Sequence, residues 1–193
     1  MTIMKVFVLI AFFTLCNSKT SFMPNLPLGE YRMIYEKIYP CESKSLIHYN
    51  IYLNKKSLSE SEVKGNYTFL VPLDDTLTID LNAASWGSIG GWKPNSMVYI
   101  TKNACSNARK LLGNAWNKIL KAFNFPNTSC PVVTGTYYTT TGLDLKELSD
   151  NNLPKVYFYG KYKATIKIKN VGNEVIGCSV MEISLIRPWE TSI

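Results

Sequence analysis

The sequence predicts a mainly β protein, a sandwich of strands with one amphipathic helix laid over one opening. Three observations predict it. Short stretches with a two-residue hydrophobic period recur along the chain. Turn residues separate them. One stretch switches to steps of three and four residues.

The strands follow in order. In "LIHYNIYLN", Ile47, Tyr49, Ile51 and Leu53 alternate with Leu46, His48, Asn50 and Tyr52. "NYTFLVPL" and "LTIDLN" repeat the period, and "MVYI", "TGTYYTTT", "VYFYG", "YKATIKIKN" and "SVMEISLI" follow. Asp74-Asp75, Gly142, Asn151-Asn152 and "NVGNE" supply the turns between them. In "YKATIKIKN", Tyr162, Ala164, Ile166 and Ile168 fall on one face, and Lys163, Thr165, Lys167 and Lys169 on the other. This is a half-solvated antiparallel strand whose lysines guard an exposed face or edge.

The exception is "CSNARKLLGNAWNKILKAF". Ala108, Leu111, Leu112, Ala115, Trp116, Ile119, Leu120 and Phe123 recur at helical spacing. The reading is one helix near 106–121, with Ser106 as N-cap and Gly113 a weak point in its middle.

Residues 84–97, "ASWGSIGGWKPNSM", read as a loop, because Gly87, Gly90, Gly91 and Pro94 disfavour both helix and central strand. The glycines are not a phosphate cradle, since the spacing is wrong and a strand follows. Trp86 and Trp92 then either fold back onto the core or stand at a rim.

The chain has 193 residues and a formal net charge of +7. "MTIMK" followed by the apolar run "VFVLIAFFTLC", with Cys16 and Ser18 at cleavage-like spacing, reads as a secretory signal peptide over 1–18. The run is too short to span a bilayer. The remainder, 19–193, has no internal break and reads as one domain. Its basic balance favours anionic lipid head groups, acidic glycans or phosphate surfaces. With no long basic block and no zinc, RNP or helix-turn-helix pattern, it is not a nucleic-acid signature.

Beyond the leader stand Cys41, Cys105, Cys130 and Cys178, an even number that implies two disulfides with three possible pairings. Cys105 and Cys130 bracket the helix. A helix over 106–120 is roughly 22 Å long, and the following ten steps reach at most roughly 34 Å, so the chain can return. That pairs Cys105 with Cys130 and leaves Cys41 with Cys178. Asn66-Tyr67-Thr68 and Asn127-Thr128-Ser129 are glycosylation sequons, which agrees with a secreted, extracellular protein.

Catalytic chemistry is not legible. His48 is the one histidine and sits in phase with the polar face of its strand. There is no G-x-S-x-G, and H-E-x-x-H is impossible. Asp74-Asp75 lies at a turn, where aspartate serves the backbone. No cysteine or histidine spacing suits a metal, so no metal and no cofactor is expected. What is in excess is apolar and aromatic surface, with four Trp and twelve Tyr. Either the two inner faces pack together, or the sheets part around an apolar ligand.

Further motifs carry a resemblance. From Cys130 the chain reads "CPVVTGTYYTT", "NLPKVYFYGKYKATIKI" and "IGCSVMEISLIRP"; earlier it has "KGNYTFLVPLDD", "GGWKP" and "ACSNARKLLG". Over nearly the whole chain after the leader it resembles a secreted insect branch of the ML lipid-recognition group, which is related to myeloid differentiation factor 2 and similar to ganglioside activators. Cys130-Pro131, Gly135-Tyr137, Leu153-Pro154, Gly160-Tyr162 and Gly177-Cys178 are the landmarks. The resemblance implies an immunoglobulin-like β-cup, a lipid held between the sheets, no catalysis, and the same two disulfides. The sequence departs from ganglioside activators in having fewer cysteines, so fewer loops are stapled.

With inward alternation, the resemblance implies a lipid-binding cavity lined by Ile51, Phe69, Leu81, Tyr137, Tyr159, Ile166 and Ile183, and by Leu112, Trp116 and Leu120 of the helix. Trp86 and Trp92 become a rim that caps the pocket or touches a membrane. The expected protein is a monomeric, non-enzymatic carrier of a lipid or other apolar small molecule, in the insect branch a pheromone or chemosensory ligand. The alternative is an accessory protein that presents lipid to a hydrolase or receptor at a membrane surface.

Overall fold

A computed structural model describes residues 25–41, 45–56 and 61–190; the expected leader lies outside them. Among the described residues strand occupies 52% and helix 14%, which makes the fold mainly β. The strands are β1 (Leu28–Glu30), β2 (Arg32–Pro40), β3 (Ile47–Lys55), β4 (Ser61–Phe69), β5 (Thr78–Trp86), β6 (Trp92–Lys102), β7 (Gly135–Tyr138), β8 (Leu143–Asp144), β9 (Val156–Phe158), β10 (Gly160–Lys169) and β11 (Val175–Ile186). Two helices, α1 (Ala104–Leu112) and α2 (Asn114–Ala122), follow β6.

Two layers pack into a sandwich. One runs β6-β5-β10-β11-β2, all antiparallel. The other is β3-β4-β7, with β8 also on β4. They are joined where Gly177 of β11 pairs in parallel with Ile47 of β3. A short β1–β9 ribbon lies at one end.

Alternation sorts the faces as expected. Tyr162, Ala164 and Ile168 of β10 are buried, and Ile47 of β3 is fully so. The lysines of β10 face outward, where Lys169 pairs with Asp80 at 2.6 Å and Lys161 with Glu36.

The helical segment differs from the expected single helix. Gly113 takes φ 55°, ψ −128°, a conformation that ends α1 and starts α2. Asn152 ties down the break: its Nδ2 donates to the Lys110 carbonyl at 2.7 Å and its N–H to Leu111. α1 also begins earlier, at Ala104, and Ser106 is not its N-cap. Instead the Ser106 N–H and hydroxyl both donate to the Asp75 carboxylate, so a turn residue satisfies a free amide of the first turn. The Ser106 hydroxyl, then its N–H, lower the Asp75 pKa.

The disulfides are Cys41–Cys178 and Cys105–Cys130, closing separations of 137 and 25 residues. In the loop-entropy account they contribute about 5 and about 3.5 kcal/mol. The second anchors α1 to the chain returning from α2.

The stretch expected to be a loop is largely strand. Trp86 ends β5 and Trp92 begins β6, directly opposite each other. Only the tip between them turns, with Gly90 at φ 88° and Gly91 at φ 86°, where a side chain would be strained.

Candidate functional site

The interior is packed at the helical end and leaves a small apolar pocket towards the other. At the helical end Trp116 and Leu120 bury themselves among Ile47, Phe69, Leu77, Ile79, Ile168 and Ile176. The Trp116 indole donates to the Thr128 carbonyl at 2.8 Å, which satisfies its only polar atom. Beside this core Tyr49, Tyr67, Phe69, Phe123, Phe125 and Tyr137 form a chain of ring contacts, the closest a 4.0 Å stack of Phe125 on Tyr137.

Towards the β1–β9 end the β6-β5-β10-β11-β2 layer and the segment Leu153–Tyr157 enclose an apolar pocket of about 70 Å³. Its floor is Ala83 of β5 and Ala164 of β10, in register on neighbouring strands. Two methyl groups where larger side chains stand elsewhere along these strands leave the space. Tyr162, Ile183 and Leu185 continue that wall; Tyr31, Met33, Met97, Leu153, Pro154 and Tyr157 close the rest. The ring hydroxyls at the pocket are spent on backbone: Tyr31 donates to Pro154, Tyr157 to Ser96 and Tyr162 to Phe158.

The inward rows of five strands are uncharged. The inward positions from Ile47 to Leu53, Val63 to Phe69, Ile79 to Ser85, Tyr162 to Ile168 and Gly177 to Leu185 carry no charged side chain. On the outer surface Glu62 is buried under three donors: Lys56 at 2.7 Å, Lys64 at 2.8 Å and Asn54 at 2.9 Å. Lys56 first, then Lys64 and Asn54, hold its carboxyl down at about 2. Among the described residues no three His, Cys, Asp or Glu gather as a metal site.

The family model of the ML domain matches residues 38–185, most of the chain. This chain belongs to the ML-domain family. The ML domain is a lipid-recognition fold. No curated protein matches the sequence.

In this ML domain the residues singled out from the sequence fall into distinct places. Ile183 lines the pocket. Leu81 and Ile166, cross-strand partners, are the next inward pair beyond Ala83 and Ala164. Ile51, Phe69 and Tyr137 belong to the opposite layer and its clusters, and Leu112, Trp116 and Leu120 to the packed helical end. Tyr159 lies apart, its hydroxyl donating to the Glu30 carbonyl at 3.0 Å and its ring beneath Arg187. Trp86 and Trp92 stand on the outer, lysine-bearing face, with the Lys163 ammonium 4.5 Å from the Trp92 ring. Of the two sequons, Asn127 is exposed and Asn66 is half-buried in β4.

The sequence reading missed Ala83, Ala164, Met33 and Met97 as pocket residues. A signal was present for the alanines: each interrupts an inward row otherwise led by large apolar residues, Ile79 and Leu81 on β5 and Tyr162, Ile166 and Ile168 on β10.

Proposed function

We propose that this protein is a secreted, non-enzymatic lipid binder that holds an apolar or amphiphilic ligand between its two sheets. The observation that carries the reading is the apolar pocket over Ala83 and Ala164, in a family whose fold recognises lipids. At about 70 Å³ it lies below the roughly 300–1,000 Å³ of typical ligand sites. A whole lipid therefore enters by displacing the flexible Met33 and Met97 side chains and extending inward past Leu81 and Ile166. The two disulfides and the leader reading support an extracellular route. The resemblance to secreted insect members favours a pheromone or chemosensory lipid.

A second reading is lipid presentation at a membrane. Its support is the β5–β6 hairpin, where Ile89 at the tip is 94% exposed and Trp86 is 52% exposed beside outward lysines. Native mass spectrometry of protein secreted by eukaryotic cells and incubated with a lipid extract tests the carrier reading. A bound mass that is lost on organic extraction is the expected result. Protein that stays at its apo mass with every lipid class removes it.

A further inference from the structure

The tyrosines of this chain divide in two. Tyr31, Tyr39, Tyr137, Tyr157, Tyr159 and Tyr162 are partly or fully buried, and each donates its hydroxyl to a named oxygen. Tyr35, Tyr49 and Tyr67 are also half-buried, yet their hydroxyls make no hydrogen bond among the described residues. Burial pushes Tyr35 and Tyr67 up to about 12, and raises Tyr49 too. A partnerless buried hydroxyl is normally costly.

All three face inward. Tyr49 and Tyr67 are cross-strand partners on β3 and β4, with ring centroids 5.7 Å apart. A Cβ on Gly177 would stand 3.4 Å from the Tyr49 hydroxyl. The next inward residue of β11 is Ser179, which also has no hydrogen-bond partner for its hydroxyl among the described residues. Tyr35, on β2, lies opposite Ile183. None of these hydroxyl oxygens is sealed from a water-sized sphere. Rings packed in the interior whose hydroxyls remain reachable can meet a polar group that enters between the layers. The packing does not demand tyrosine here. Phe69, Phe123 and Phe125 pack in the same aromatic cluster with no hydroxyl.

We infer that Tyr49 and Tyr67 form an internal polar station that hydrogen-bonds a neutral oxygen function, a hydroxyl, ester or ketone, carried by the ligand. This rests on the lipid-binding reading and narrows it. A plain hydrocarbon leaves the hydroxyls unmet. A carboxylate or phosphate is buried there without a countercharge, since the inward positions of β3, β4, β10 and β11 hold no cation. The phenols stay protonated and serve as donors.

The test is displacement of the fluorescent probe N-phenyl-1-naphthylamine from the full chain by dodecane, dodecanol, dodecyl acetate and dodecanoate. Partition out of water favours dodecane, so a preference for the alcohol and the acetate arises only from polar contacts. Wild type is expected to bind these two roughly tenfold more tightly than dodecane, the effect of one or two net hydrogen bonds. In Tyr49→Phe/Tyr67→Phe the preference is expected to fall to within about twofold, with dodecane binding kept. Equal binding of all four by wild type, or an unchanged preference in the double variant, overturns the station and leaves the carrier reading standing. Failure of all four to displace the probe overturns both. Urea unfolding without ligand gives an independent arm. Each single Phe variant is expected to match or exceed wild type, and a clear loss in both means that the hydroxyls have protein partners, which overturns the inference.

Discussion

Ala83 and Ala164 sit directly opposite each other on β5 and β10, both buried, and together form the floor of the apolar pocket. Their cross-strand neighbours, Leu81 with Ile166 and Ile79 with Ile168, fill the same face with larger groups. Ala164→Leu is therefore expected to occupy the pocket and abolish binding of an apolar probe. Filling existing space offsets part of the overpacking cost of about 1–3 kcal/mol. Probe titration together with urea unfolding checks this. Undiminished binding in a folded variant places the ligand elsewhere.

Trp86 and Trp92 form a nearly perpendicular pair with centroids 5.2 Å apart, on the face turned away from the pocket. Truncating either to Ala removes an edge-to-face contact of about 0.5–1.5 kcal/mol and little buried core. Loss of stability is expected to stay near that range, well below the roughly 3–5 kcal/mol of a core indole. Apolar-probe binding is expected to persist. Sedimentation with anionic vesicles is expected to weaken, because Lys163 and the indoles present charge and interfacial rings together. Vesicle binding equal to wild type in the double variant removes the membrane-presenting reading.

The period-two rows made the sandwich legible, and with it the inward set on β3 and β10. Less legible were features set by tertiary contact. β2 does not show in the sequence pattern, because its register with β11 shifts at Glu182/Ile183 and scrambles the alternation. The helix break is set by φ and ψ at Gly113 and by Asn152, 39 positions later in the chain. Trp86 and Trp92 read as loop because the glycines and proline around them mask two strand ends. Nor does a tyrosine in a strand announce whether its hydroxyl finds a carbonyl. Tyr137 does and Tyr67 does not, although both belong to one cluster.

Glu62 sets a pH dependence. Its folded carboxyl is depressed from 4.5 to about 2 by Lys56, Lys64 and Asn54. A depressed carboxyl binds protons more readily in the unfolded chain. Its contribution is therefore complete above the ordinary value and is lost as pH falls towards about 2. Both lysines are substantially exposed, so salt weakens the effect. Glu62→Gln is expected to be less stable than wild type at neutral pH, with the gap closing across that acid window. Urea midpoints of the two proteins as a function of pH measure it. A gap constant down to pH 2 means that the three donors do not favour the charged form.

Gly113→Ala sets helix propensity against backbone strain. By propensity alone, alanine improves a continuous helix by about 1 kcal/mol. In this protein residue 113 has φ 55° and ψ −128°, outside the regions open to L side chains, and α1 and α2 diverge there. The new Cβ would stand 3.1 Å from Asn152 Nδ2, the group that caps the Lys110 carbonyl. Straightening the helix instead would pull Trp116 and Leu120 from the core and move Cys105 relative to Cys130. Strain of about 1–3 kcal/mol and the disturbed cap outweigh the propensity gain. The expected result is a net loss of about 1–2 kcal/mol in urea unfolding, with little change in far-ultraviolet helix signal. A variant as stable as wild type, with stronger helix signal, means that the two helices join without cost.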